Sequence, residues 1–430
     1  MSYDVIVVGG GSSGLMAAVA ASGQGAKVLL LDKGDKLGRK LGISGGGRCN
    51  VTNAKDTDEL IKHIPGNGKF LHSALNDFGN RDIMRFFESM GIALKEEDNG
   101  RMFPVSNKAK SVVDALVGKV RTQGVHLKVN SPVREVIYRD GAVSGVKLRS
   151  GEVIKCRCVI VAVGGKSVPH TGSEGDGYAW AELAGHTITE LYPTEVPLTS
   201  GEPFIQRKEL QGLSLREIRL TVWNAKGKRL VEHQGDMIFT HFGLSGPTAL
   251  RCSQYVIKAL KQVQAGPRTV LLTLDLKPDR SAADVYAQTL LLAKQEARKS
   301  IKNVLKSYVP ERIIPMLLSA ASLSEELTYD HIPKQPWLEL AKLIKAYPIR
   351  VNGTLSIQEA FVTGGGVNLK EIDPKTMQSK LMHGLFFCGE ILDIHGYTGG
   401  YNITAAFSTG HSAGKHAAKL ALAARSGELE

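Results

Sequence analysis

Gly9-Gly10-Gly11-Ser12-Ser13-Gly14 limits this chain more than any other stretch, because of what flanks it. It follows an apolar run, Tyr3 to Val8, and opens an alanine-rich segment from about Gly14 to Ser22. A second apolar run, Lys27 to Leu31, then ends at Asp32. Strand, glycine turn, helix and strand make a parallel βαβ unit. Glycines at this spacing permit a tight turn and let a pyrophosphate approach unpaired N–H groups at a helix N-terminus. Asp32 stands where a carboxylate accepts hydrogen bonds from an adenosine ribose. On its own the six-residue pattern is common. In this setting it predicts a dinucleotide site built on Gly9, Gly11, Ser12, Ser13, Gly14 and Asp32.

The far end of the chain decides which dinucleotide. Gly389-Glu390 follows a strand predicted at Leu385 to Cys388, and Gly399-Gly400-Tyr401-Asn402 precedes an alanine-rich helix predicted from Ala405 to Ala423. A helix N-terminus directed at a ring that gains negative charge on reduction suits a flavin. Val161-Ala162-Val163-Gly164-Gly165 adds another strand ending in a glycine turn. The chain carries no second G-x-G-x-x-G, so NADH or NADPH is expected only as a transient reductant. The expected resident cofactor is FAD, held non-covalently.

The 430 residues leave room for two or three domains. Lys33 to Asn53, rich in Gly, Arg and Lys, is too long for a plain connector. Helices are predicted at Asp82 to Met90 and Ala109 to Gln123. Val125 to Val129, Val133 to Tyr138, Ala142 to Leu148 and Val153 to Cys158 read as a small antiparallel set. From Pro193 the texture changes. Strands are predicted at Leu215 to Trp223, Arg229 to His233 and Val270 to Leu276. Ala283 to Tyr347 then reads as mostly helical, broken at Pro310, Pro333 and Pro336. The expected division is a cofactor domain over 1–192 and 369–430, a β-rich insert over 193–275, a small helical domain over 276–347 and a return segment over 348–368.

Composition narrows the setting. No stretch approaches the roughly 18 to 20 apolar residues of a membrane span, and the start, Met1-Ser2-Tyr3-Asp4, lacks the features of a secretory leader, so a cytoplasmic address is expected. The five cysteines are too few and too scattered for a disulfide frame. Cys156 and Cys158 are read as pointing to opposite faces of a strand, a poor geometry for a shared metal, and no metal is expected. The formal charge of +12 concentrates in the middle. Arg207 to Arg229 holds seven basic and two acidic residues, and Lys294 to Arg312, expected to be a helix, holds six and two. Such a surface can hold a polyanion by releasing counterions, though charge alone does not separate RNA from an acidic small molecule.

Four segments carry a family resemblance: Gly45-Gly46-Gly47-Arg48-Cys49-Asn50-Val51-Thr52-Asn53, Phe239 to Pro247, Val362 to Val367 and Phe387 to Asp393. In them the chain resembles the BaiN/RdsA flavoproteins over essentially its whole length. The resemblance implies an α/β fold. Its core would be a Rossmann-like FAD-binding domain of glutathione-reductase and fumarate-reductase type, with an inserted β-rich domain and a small helical domain. It also implies one of two activities: reduction of a uridine C5–C6 double bond in 23S ribosomal RNA to dihydrouridine, or reduction of a double bond in a small bile-acid steroid. A flavin-containing RNA-binding factor without catalysis is the third reading. A monomer is expected. Further positions proposed to hold FAD are Lys33, Arg39, Lys40, Gly45, Gly46, Gly47, Arg48, Cys49, Asn50, Val133, Gly164, Gly165, Gly389, Glu390, Gly400, Tyr401 and Asn402.

Reducing a uracil places hydride at C6 and a proton at C5, so a weak acid is needed. Cys49 and His241 are the proposed catalytic residues. Cys49 lies in the glycine loop that, by analogy with fumarate-reductase-type enzymes, passes near the flavin ring. His241 and His395 each sit beside glycine turns. Cys388 is expected to line the cofactor crevice.

Overall fold

The computed structural model describes residues 2–263 and 266–426. They fall into two compact units, divided at Tyr192/Pro193 and again at Ala360/Phe361.

The first unit is built on a seven-stranded sheet. Four strands run parallel in the order His126–Lys128, Val28–Leu31, Ser2–Val8 and Val153–Val161. The run from Val5 to Val8 is apolar and wholly buried, as a parallel strand covered on both faces must be. Val153–Val161 forks. Its first half pairs antiparallel with Ala142–Leu148, which pairs in turn with Val133–Arg139, while Val159 to Val161 pairs parallel with Leu385–Phe387. The strand near Val125 therefore extends the parallel sheet instead of joining an antiparallel set, because its partner is Val28–Leu31 across the connecting helix Ala109–Thr122. Cys156 and Cys158 both lie on the buried face of Val153–Val161, correcting the expectation of opposite faces: residues two apart on a strand point the same way.

The opening helix, Ser12–Gly23, and the closing helix, Tyr401–Ser426, cross in close contact. A Cβ on Gly410 would lie 2.3 Å from the Ser13 carbonyl oxygen, and one on Gly414 would lie 2.1 Å from that of Ala17. The small residues that lend both segments their alanine-rich look are what let the two backbones meet.

The second unit carries a seven-stranded sheet in the order Tyr347–Val351, Val270–Asp275, Ser214–Trp223, Arg229–Phe239, Gly243–Ser245, Leu198–Thr199 and Gly353–Thr354. Leu220, Val222 and Leu272 share one core with Leu317, Trp337 and Leu340 from the helical stretch. Lys294 to Arg312 is not one helix. Ala282–Gln295 ends, Ile301–Leu305 follows, and Glu311–Ile313 is a short turn after Pro310. Pro310 has no N–H to donate and cannot continue a helix.

Candidate cofactor site

The first glycine turn is as tight as its spacing requires. Gly9 has φ +104°, and a Cβ there would lie 2.4 Å from the Ala162 carbonyl oxygen. A Cβ on Gly14 would lie 1.8 Å from the carbonyl oxygen of Gly9, so strand and helix touch through that position. Around Gly11 there is open room. Ser12 begins the helix and Ser13 is buried. Asp32 accepts from the Gly10 and Gly34 N–H groups, both at 2.7 Å. It therefore braces the turn, and a carboxylate with about four acceptor positions keeps capacity for a hydroxyl beside that. Ser131 N–H donates to the Asp32 carbonyl at 2.8 Å, which brings the start of the Val133 strand to the same place.

The basic residues proposed nearby have protein partners. Lys33 pairs with Glu174 at 2.6 Å and Asp176 at 2.5 Å. The Arg39 guanidinium lies 3.5 Å from Asp32 and over Gly34, where a Cβ would meet it at 2.1 Å. Lys40 donates to Glu390 at 2.6 Å and to Ser167 at 2.9 Å. The Glu390 carboxylate also accepts from Ser167 Oγ at 2.9 Å and from the Thr363 N–H at 2.8 Å. Burial alone would raise this carboxyl, but the Lys40 ammonium and these hydrogen bonds hold it below the ordinary carboxylate range. A Cβ on Gly165 would collide with Thr363 Oγ1 at 2.4 Å, and one on Gly164 would lie 2.8 Å from Ser173 Oγ.

The long loop after Asp32 contains a helix, Arg39–Gly47, that breaks at its end. Ser44 is extended, and Gly45, Gly46 and Gly47 are left-handed at φ +57°, +68° and +82°. Gly46 and Gly47 are exposed, and a Cβ on either would point into open space. Arg48 donates to both carboxylate oxygens of Glu97, at 2.9 and 3.1 Å, and stacks 4.1 Å over the Phe103 ring. Cys49 is left-handed at φ +61° and wholly buried, and burial pushes its thiol up to about 12. Asn50 is buried, and its Oδ1 has no hydrogen-bond partner.

The C-terminal motifs meet the N-terminal ones directly. Gly389 is left-handed at φ +77°, and a Cβ there would lie 2.4 Å from Ser13 Oγ. Gly400 is left-handed at φ +96°, and its Cβ would lie 2.5 Å from the Thr52 carbonyl oxygen and 3.0 Å from Asn50 Oδ1. Thr52 Oγ1 and Thr404 Oγ1 share a buried 2.7 Å hydrogen bond. The Tyr401 ring stacks on His63 at 4.7 Å. The Asn402 side chain accepts from Gly396 N–H at 2.7 Å and donates to its carbonyl at 2.8 Å, so it clamps the turn before the closing helix. His395 is buried beneath Gly66, and Cys388 is wholly buried beside Ser13. His241, in the second unit, is exposed, its ring edge-on to Phe242.

These features fit a dinucleotide. The space beside Gly11, Gly46 and Gly47 is open, and the stranded Asn50 Oδ1 can accept a hydrogen bond from a ligand. The Tyr178 hydroxyl is likewise buried without a partner; burial first, then the Glu390 and Asp393 carboxylates, raise its pKa and keep it a donor.

Two features escaped the sequence reading. His186 is wholly buried, its Nε2 2.7 Å from Ser379 Oγ and its Nδ1 3.1 Å from Glu371. Burial lowers its pKa, partly offset by Glu371, and burial does the same to His411 beside Asp77. The unfolded chain binds protons at these imidazoles before the native one does. The thermal midpoint is therefore expected to hold above about pH 6.5 and to fall as pH drops below it. Melting curves between pH 8 and 5 check this, and the slope should be shallower in His186→Gln. The His186 partners lie 185 and 193 residues away and give no local pattern to read.

A family model for the HI0933-like protein Rossmann domain matches residues 3–416. The chain belongs to the HI0933-like family. Two full-length relatives stand close to each other in similarity. A 3-dehydro-bile acid delta(4,6)-reductase of Clostridium scindens is 30% identical, covering 96% of this chain and 98% of the relative. A ribosomal RNA dihydrouridine synthase of Escherichia coli is 31% identical, covering 95% and 96%. Among solved structures, a quinol-fumarate reductase superposes with a TM-score of 0.52 at 16% identity, covering 99% of this chain and 72% of that one. A 3-ketosteroid delta1-dehydrogenase of Sterolibacterium denitrificans superposes at 0.50 and 16% identity, covering 97% and 99%. The HI0933-like chain is thus a member of an FAD-dependent oxidoreductase family with the α/β, Rossmann-like fold expected of it.

Proposed function

We propose that this chain reduces a uridine C5–C6 double bond in ribosomal RNA to dihydrouridine, with NADH or NADPH as the transient reductant. The observation that carries this reading is unspent positive charge on the second unit. Lys208, Arg216, Lys226 and Lys228 are exposed and make no ion pair with a carboxylate among the described residues. A bile-acid carboxylate needs one or two cations, whereas a polynucleotide makes use of many. FAD, when bound, supplies the hydride. The protein's share is to hold FAD through both glycine clusters, to admit an unpaired or flipped base, and to deliver a proton. Mass-spectrometric mapping of ribosomal RNA from a deletion strain tests the reading; a map with no lost dihydrouridine ends it. Turnover of a free unsaturated steroid, with affinity almost independent of salt, favours the small-molecule reductase instead.

For the proton we assign His241 over Cys49, since the Cys49 thiol has no exposed surface and packs inside the glycine loop. Cys49→Ala is expected to keep dihydrouridine formation within about threefold. His241→Asn should lower it by about tenfold or more, with the flavin still reducible. Single-turnover assays on the reduced enzyme separate the two, and the opposite ranking would reverse the assignment.

A further inference from the structure

We infer that the hairpin Ser214–Trp223/Arg229–Phe239 is the surface on which the second unit docks unpaired RNA. The inference rests on the proposed RNA substrate and adds where it is gripped. Between Arg219 and Leu230 the chain carries four cations and no carboxylate. The tip that presents them is a built turn. Asn224 Oδ1 accepts from the N–H groups of Lys226 and Lys228, both at 2.9 Å. Asn224 N–H donates to the Lys228 carbonyl at 2.9 Å, and Gly227 takes the left-handed φ of +73° that closes the turn. Lys226 and Lys228 are exposed and unpaired with any carboxylate among the described residues. Arg229 and Arg219 share a single one, Glu232.

The strand register extends this patch. Leu220 and Val222 point into the core, so Arg219, Thr221 and Trp223 share the opposite face. Trp223 stands opposite Arg229, and Arg219 opposite Gln234. The half-buried Trp223 indole is held by its Nε1–H, which donates to Thr273 Oγ1 on the neighbouring strand at 2.9 Å. An aromatic side chain opposite Arg229, beside a tip whose two lysines pair with no carboxylate among the described residues, matches what single-stranded nucleic acid offers: stackable bases on a chain of phosphates.

The test uses the full holoenzyme and its double variant Lys226→Glu/Lys228→Glu. Both positions are exposed at a turn, so the variant is expected to keep the wild-type flavin absorption and thermal midpoint. Binding to a fluorescently labelled single-stranded RNA is measured across a salt series, and dihydrouridine formation is measured on a ribosomal RNA transcript. The variant should bind at least about tenfold more weakly. Its log–log salt dependence should be shallower by about 1.4, the value for two lost phosphate contacts on a single strand. Dihydrouridine formation should fall in parallel at limiting RNA. A wild type that binds and modifies RNA, beside a variant with the same affinity and salt slope, overturns the docking surface alone. A wild type that neither binds nor modifies RNA overturns the substrate reading and the surface together.

Discussion

Gly14→Val is expected to yield protein that retains no FAD. A Cβ at this position would lie 1.8 Å from the Gly9 carbonyl oxygen and 3.2 Å from Ala162 Cβ. Neither neighbour is free to move. Gly9 is itself pressed against the Ala162 carbonyl at a positive φ, and the adjacent Gly10 N–H is tied to Asp32. Relief requires the opening helix to lift from the first strand, which removes the turn whose N–H groups would meet the pyrophosphate. Overpacking of this kind costs about 1–3 kcal/mol where the surroundings can adjust; here they are backbone. Gly11→Ala is the matched control. Its φ is −79° and the space around it is open, so apoprotein stability should hold while FAD affinity falls, if cofactor fills that space. Visible absorption of the purified variants, with melting of the apo forms, measures both. A yellow, stoichiometric Gly14→Val would show that strand and helix do not need to touch there.

That contrast shows what could be read from the residues. The turn was legible because its demands are local: positive φ and close backbone approach select glycine within six positions. The parallel strands and the closing helix were legible from burial patterns for the same reason. The roles of side chains inside the site were not. Asp32, expected to serve a ribose, spends two acceptor positions on Gly10 and Gly34. Lys33, expected at the cofactor, is paired with Glu174 and Asp176, which lie more than 140 residues downstream. The Lys33 to Asn53 loop hid a helix because the last three residues of that helix are glycines, and the helix ends where those glycines turn left-handed. Cys49 is a candidate acid by its place in that loop, and only the packing shows it wholly buried.

Glu390 is the strongest case of a role no spacing could show, and it sets the second large effect. Its partners Lys40, Ser167 and Thr363 come from three separate segments, and Thr363 Oγ1 in turn accepts from the N–H groups of Lys166 and Ser167. Removing the carboxylate strands a buried Thr363 N–H and leaves Lys40 without its counter-charge. Breaking a buried pair from one side costs about 3–5 kcal/mol. The side chains here are 18% and 29% exposed, so about 2–3 kcal/mol is expected for Glu390→Ala. Glu390→Gln should fall between, since its amide still accepts one bond but turns a second donor toward Lys40. Lys40→Met added to Glu390→Gln should cost less than the two single changes summed. The pH dependence separates charge from packing. A carboxylate whose folded pKa is depressed contributes fully at neutral pH, and its contribution is lost as pH falls through that value. The stability gap between wild type and Glu390→Gln should therefore persist from pH 8 to 5 and close below about pH 4. A gap that stays constant down to pH 3 would mean that Glu390 acts by shape, and that the Lys40 ion pair does not hold the glycine turns together.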